Sequence, residues 1–311
     1  MTSLSPIVLF VYNRLKHTQD TISALQKNTL ASESHLIIYS DAASIVADQA
    51  KVEAVRDYLT TVSGFKSIEI NEAKVNIGCD NSIIRGVSDV VNKFGTVIVL
   101  EDDHVTSANF LTYMNDALAY YKSSPSIAGI SGYSPPIEIR KNYTKDFYVS
   151  GRGSSWGWAT WSKSWNAIDW KVPNYQSFKL SKAKKAKFNR FGDDMSDMLI
   201  YAMEKEKVPY WDIRRCYFMH LNDLKFIYPV VSKVKNIGTD GSGLHCGKSN
   251  WSDVTIDAGT DRVNFSDDIE FDDQIIKAFK RFYNGPVSLK RYIVILLKKI
   301  NMYSFIRSII K

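Results

Sequence analysis

"VIVLEDDHV", residues 97–105, runs from four apolar residues straight into three adjacent carboxylates, Glu101, Asp102 and Asp103. A continuously apolar strand is one buried on both faces, as in a parallel sheet covered by helices, and its carboxyl end is where it can bear charge. Three neighbouring carboxylates repel one another unless a cation is present, and a hard divalent ion shared with phosphate oxygens would neutralise them. The same residues also permit an acidic turn before the next helix. "SANFLTYMNDALAYY" (107–121) has helical spacing, and acids suit the start of a helix.

Outward from this stretch, strands alternate with helices. "IVLFVY" (7–12) is an apolar strand running into Asn13 and Arg14, followed by a helical pattern over Thr18–Lys27. "HLIIYSDAA" (35–43) is a second strand, ending on Ser40 and Asp41. Residues 48–62 repeat apolar side chains at helical spacing, "SIEINEA" gives a third strand, and "NSIIRGVSDVVNKF" another amphipathic helix. This alternation predicts an α/β fold, a Rossmann-like and mostly parallel central sheet flanked by helices, with ligands beyond the carboxyl ends of the strands. Three strands end there on polar groups: Asn13 with Arg14, Asp41, and the Glu-Asp-Asp.

Composition bounds the class. A chain of 311 residues, 45% hydrophobic and 13% aromatic, can bury a sizeable core. Its net charge of +7 favours an anionic partner, whether a phosphorylated ligand, a membrane surface or nucleic acid. Cys79, Cys216 and Cys246 are too widely spaced for a zinc pattern or a disulfide framework, which points to a reducing, cytoplasmic compartment. The sequons at Asn142, Asn250 and Asn264 then carry no weight. "MTSLSPIVLFVYNR" has no basic n-region and an apolar stretch far short of a membrane span, so it reads as the first strand.

"TVIVLEDDHVTSANFLTYMNDALAYYKSSPSIAGISGY" resembles the metal-binding segment of GT-A glycosyltransferases, in particular N-acetylglucosaminyltransferase I and related bacterial sugar transferases, whose Asp-x-Asp signature takes the form Glu-Asp-Asp. Further segments recur in the family's order: the first strand ending "YNR", the second ending "SD", "GRGSSWGWATW" (151–161), Trp211 with Asp212, and "PVVSKVKNIGTDGSGLH". The resemblance covers about residues 6–246. It implies the GT-A fold and transfer of a sugar, GlcNAc favoured, from a UDP-sugar to a saccharide or lipid-linked acceptor.

Carried onto this chain, the resemblance makes Asp103 the ligand of Mn2+ or Mg2+. Glu101 and Asp102 then face the donor's ribose and sugar, Asp41 reads the nucleobase, and Arg14 supplies positive charge near the base or diphosphate. Arg85 could point into the same cleft, or be a surface arginine on an amphipathic helix. An inverting transfer needs a base for the acceptor hydroxyl. Asp212 is the candidate, with an ion pair to Arg214 or Arg215 as its structural alternative; Asp193 and Asp194 of "FGDDM" compete but read as a solvated loop and helix start. Trp156 and Trp158, in a glycine-punctuated stretch with Trp161, could pack against a sugar or simply fill the core. The loop of Gly238, Asp240, Gly241 and His245 resembles the family's closing loop and is otherwise a flexible connection.

Residues 1–248 thus read as the catalytic domain and 249–311 as a C-terminal helical extension. From Ser288 onward the tail carries Lys290, Arg291, Lys298, Lys299, Arg307 and Lys311 among Ile, Leu, Tyr and Phe, with no acid. Such a segment can lie on an anionic membrane but cannot span one, and it equally permits a helix packed back on the domain or a partner-binding helix. A bacterial enzyme of surface polysaccharide or glycolipid synthesis, peripheral on the inner face of the cytoplasmic membrane, fits these features. Competing classes are a retaining transferase, a metal-dependent nucleotidyltransferase or phosphate hydrolase, and a nucleic-acid-binding protein using "KLSKAKKAKFNR". The last would leave the acidic strand end unexplained and shows no binding motif, so no nucleic acid is expected.

Overall fold

The structure, a computed structural model, describes residues 4–204, 210–242, 254–259 and 262–285. Five-residue β1 (Ile7–Val11) pairs in parallel with β2 (His35–Ser40) on one side and β4 (Thr96–Glu101) on the other, and β3 (Ser67–Glu72) continues beyond β2. Helices α1 (Leu15–Gln26), α2 (Gln49–Leu59) and α3 (Cys79–Phe94) make the crossovers that parallel pairing requires. Beyond β4 the sheet takes up β8 (Trp158–Trp161), β6 (Ile127–Ser131), β9 (Lys225–Pro229) and β7 (Phe147–Ser150), giving the order β3-β2-β1-β4-β8-β6-β9-β7. Only β8 and β7 run against the rest, so the eight-stranded sheet is mostly parallel.

Both faces of the sheet are covered, which explains the unbroken apolar strands. Ile7, Leu9 and Val11 of β1 and Ile98 and Leu100 of β4 face α1, α2 and α4 (Phe110–Tyr120). Val8, Phe10, Val97 and Val99 face the opposite layer, containing α3, α5 (Ser162–Asn166), α9 (Trp211–Leu221) and α10 (Asp273–Asn284). A smaller core lies to one side under α6 (Tyr175–Leu180), α7 (Lys182–Phe188) and α8 (Met195–Glu204). Local chemistry sets the ends: Gly95, left-handed at φ 81°, stops α3, and the Asp272 carboxylate accepts from Gln274 N and Ile275 N at the start of α10.

The acidic strand end does not lead directly into a helix. His104–Thr106 forms a short strand, β5, pairing antiparallel with β10 (Val234–Asn236), and α4 starts only at Phe110. This ribbon brings residues 236–242 over the carboxylates. Described residues beyond 249 pack on the sheet: Asp257 N donates to Ser232 O, and Ile275 and Phe279 of α10 enter the core. No helix among the described residues is long and apolar enough to cross a membrane. The tail from 286 onward, and His245 and Cys246, lie outside the described residues.

Candidate active site

Because β2, β1 and β4 are neighbours, their polar carboxyl ends converge on one cleft of ≈ 270 Å³. Arg14, Asp41, Glu101, Asp102, Asp103 and Trp156 line it, with Tyr12, Cys79 and Ser242 among the others. At its floor Arg14 forks across two carboxylates. Nε donates to Asp102 Oδ2 at 3.1 Å, and Nη2 donates to Asp102 Oδ1 and, at 2.8 Å, to Asp103 Oδ2. Burial would pull the Arg14 pKa down, but these two partners outweigh it and raise it.

The carboxylates are unequal. Burial, then the charges of Asp103 and Asp102, pushes the Glu101 pKa well up, and its side chain has only the Cys79 thiol, 3.9 Å away, as a hydrogen-bond donor among the described residues. Burial also raises Asp102, to about 6, against the opposing bond from Arg14. His104 accepts from Glu101 N through Nδ1 at 2.9 Å, so its proton sits on Nε2, buried 3.4 Å from Asp103 Oδ1 and without a hydrogen-bond acceptor among the described residues. Burial lowers its pKa to about 4.

Residues 236–242 close over this floor. Asn236 Nδ2 donates to Asp103 Oδ1 at 3.3 Å, and Ile237 N to Asp103 O at 2.8 Å. Gly238 lies so close that a Cβ there would sit 2.1 Å from Asp103 Oδ2 and 2.8 Å from Arg14 Nη1. Further on, Asp240 accepts from Ser242 N and Oγ and lies 3.4 Å from His17 Nε2 on α1, while Gly241 takes φ 94°.

Asp41 lines the cleft, but its carboxylate is spent on the chain itself. Oδ1 accepts from Ala42 N and Ile77 N, and Oδ2 from Asn76 Nδ2 and Gly78 N. A carboxylate has about four such acceptor positions. Asp41 therefore fixes the 76–78 turn, where Gly78 supplies the φ of 81° that leads into α3. Arg56 secures the same corner from α2, donating to the carbonyls of Ser40, Asp41 and Ala73 and so tying the ends of β2 and β3 together.

Two expected contacts are corrected by these positions. Arg85 has a side chain 72% exposed, is paired with Asp89 at 3.9 Å and does not line the cleft; the amphipathic α3 turns it to solvent. Trp158 is 0% exposed, stacked with Trp165 at 5.5 Å and Trp211 at 5.1 Å, so it cannot touch a sugar. Side chains alternate across strand β8, and both of its faces are core. Trp156, just before that strand, does line the cleft, its ring edge-on to Tyr133 at 4.5 Å.

Asp212 sits in the first turn of α9 and is not among the residues lining the cleft. It makes no ion pair among the described residues. Arg214 donates to Trp170 O and Ala202 O, and Arg215 to Ser154 O. Tyr210, immediately before α9, is left-handed at φ 43°, a strained geometry for a non-glycine residue. The start of α9 is tied to the first turn of α3 by Asp80, whose Oδ1 accepts from Trp211 N at 2.9 Å. Asp194, by contrast, is held by Arg152 through two bonds of 2.8 and 2.9 Å.

No family model matches the chain, and no curated protein matches it in sequence. Among solved structures it is similar to S. aureus TarS at 9% identity and TM-score 0.39, over 74% of this chain and 36% of that one. It is similar to the mannosyltransferase PcManGT from Pyrobaculum calidifontis, solved with GDP-Man and Mn2+, at 10% identity and TM-score 0.38 over 71% of each chain. Mouse xyloside xylosyltransferase 1 matches at 10% identity and TM-score 0.34, over 66% of this chain and 84% of its own. Likenesses this distant assign no activity; the chemistry of the cleft has to carry it.

Proposed function

We propose that the protein is a metal-dependent, inverting GT-A glycosyltransferase. It would take a sugar, GlcNAc favoured, from a UDP-sugar and pass it to a saccharide or lipid-linked acceptor. The observation that carries this reading is the meeting of Arg14 with Asp102 and Asp103 at the carboxyl end of a mostly parallel sheet. A cationic fork and like-charged, buried carboxylates together suit a diphosphate and the cation that accompanies it.

The residues fit a hard divalent ion, Mn2+ or Mg2+. Among the described residues no three His, Cys, Asp or Glu side chains form a complete metal site, so an ion at Asp103 would take its other ligands from the diphosphate and water. Arg14 Nη1 is buried without a partner among the described residues, and a phosphate oxygen is the matching acceptor. Bound there, the ion would supply charge neutralisation for the departing diphosphate. Arg14 would hold that diphosphate, Trp156 would flank the sugar, and the 238–242 loop would exclude water. Asp212 is retained as the base that takes the acceptor's proton, which requires the acceptor to approach along the start of α9. A bacterial surface glycan or glycolipid as product, with the basic 286–311 tail on the inner membrane face, completes the reading.

Calorimetric titration with a panel of nucleoside diphosphates, with manganese and with EDTA, tests it. Manganese-dependent binding of one nucleotide, UDP expected, supports the reading; equal binding in EDTA would remove the metal from it.

A further inference from the structure

The segment Lys179–Arg190 holds six cations and no acid. It forms an outer corner of the molecule, α6 turning into α7 at Ser181, whose hydroxyl caps α7 by accepting from Lys184 N. The corner is anchored from beneath: Phe178 and Phe188 are buried, each edge-on to the ring of Tyr217, at 4.9 and 5.3 Å. On its outer side Lys184 Nζ donates to Ser177 Oγ at 2.9 Å. Lys182, Lys184 and Lys187 are exposed, and among the described residues Lys182, Lys184, Lys185 and Lys187 form no ion pair. Leu180, the last residue of α6, is 83% exposed.

Of the nearby acids, one offsets a cation of the corner and two are paired elsewhere. Glu204 pairs with Lys179, Asp194 with Arg152, and Asp193 with Lys280 at 2.8 Å. Asp193 also holds the end of α10: Asn284 donates to Asp193 Oδ2 at 2.7 Å and accepts from Asp193 N at 2.9 Å. Asp193 lies three positions beyond Arg190, so α10 ends beside the basic corner.

We propose that the α6–α7 corner is a docking face for an anionic lipid bilayer, with Leu180 entering the headgroup layer and the lysines of α7 meeting lipid phosphates. Five of the six cations are lysines, compact point charges suited to a diffuse anionic surface, whereas base and phosphate readout favours the planar fork of arginine. Seven residues of α7 with no exposed ring offer nothing on which a nucleic-acid base could stack, while an exposed leucine among lysines matches a headgroup boundary. One weak membrane signal gives marginal attachment and two give stable attachment. The corner is a second signal beside the tail, and because it is rigid it also sets which side of the molecule faces the membrane. The proposal does not depend on sugar transfer.

The test is flotation of the full chain with vesicles of phosphatidylglycerol and phosphatidylcholine, against phosphatidylcholine alone. The variant K182E/K184E/K185E/K187E should lose at least about a hundredfold in partitioning to the anionic vesicles, with its melting temperature and nucleotide titration unchanged. Leu180→Gln should weaken binding at constant charge. Reversing Lys27, Lys51, Lys66 and Lys93, on other helices and edges, should cost much less. Binding of the four-lysine variant at the wild-type level would overturn the corner and leave the tail as the contact. Failure of the unaltered chain to bind would overturn both, and equal losses from the two sets of reversals would reduce the effect to net charge. Retained vesicle binding with lost single-stranded RNA binding would reassign the corner to nucleic acid.

Discussion

Arg14 and Asp103, 89 residues apart in sequence, are joined by a 2.8 Å bond between Nη2 and Oδ2, with Gly238 packed directly against both side chains. Arg14 leaves the end of β1 and Asp103 the end of β4, so their meeting follows from the adjacency of those two strands. The guanidinium supplies positive charge to a buried acidic pair, which on the proposed reading it would share with a bound cation and diphosphate. Replacing it by Met should strand Asp102 and Asp103 as under-compensated buried charges, costing about 3 kcal/mol of stability. Nucleotide affinity should fall by at least about tenfold. Denaturant unfolding and calorimetry of Arg14→Met measure the two effects separately.

Asp103 and Asp212 should fail in different ways. Asp103→Ala should abolish metal-dependent nucleotide binding, whereas Asp212→Asn should keep nucleotide affinity and lose transfer by about a hundredfold or more. If Asp212→Asn lost nucleotide binding while remaining folded, Asp212 would have to be removed from the role of base.

Gly238 is required by proximity. Its Cβ in Gly238→Ala would meet Asp103 Oδ2 at 2.1 Å, far inside contact distance, so the loop or the carboxylate must move. Nucleotide affinity should drop by roughly 10- to 100-fold, a cost of about 1–3 kcal/mol. Because the loop lies over the site and outside the central core, the melting temperature should fall by only a few degrees. Wild-type affinity in this variant would show that the loop contact has no part in binding.

Trp156 and Trp158 offer a paired contrast. Trp158→Ala removes a fully buried ring from a stack of three tryptophans and should cost about 3–5 kcal/mol. Trp156→Ala should be milder in stability and raise the KM for donor or acceptor. Arg85→Ala should alter neither quantity, since its side chain is on the solvent face of α3.

Acid should destabilise the fold through His104. Burial depresses its pKa to about 4, below the ordinary 6.5. Between those values the unfolded chain takes up a proton that the folded chain refuses. The stability associated with neutral His104 is complete above about pH 6.5 and is lost as pH falls toward 4, by about 3 kcal/mol in all. His104→Asn keeps an acceptor for Glu101 N without a titrating ring. Its melting temperature should decline less than that of the wild type between pH 7 and 4.5, and parallel declines would exclude His104 as the source.

The sequence by itself determined the four parallel strands of the first half of the sheet and the polar ends that mark the cleft. Strands 7–11, 35–40 and 96–101 carry the apolar runs 7–11, 36–39 and 97–100 because both of their faces are covered, and each gives way to polar residues where the covering ends. That pattern is local, so Arg14, Asp41 and the Glu-Asp-Asp could be picked out before any coordinate was known. What each side chain does there was decided by tertiary structure. Whether a tryptophan faces ligand or core depends on what covers its side of the strand, and alternation alone is silent when both sides are buried: Trp158 went inward and Trp156 lined the cleft. Asp41 looked available to a ligand, yet backbone N–H groups some 36 residues away occupy its oxygens. Arg56 gave no signal at all, being one arginine on an amphipathic helix, until folding set its guanidinium against three carbonyls at the ends of two strands. Periodicity records which residues leave water; hydrogen bonds between distant segments are chosen only when the chain is packed.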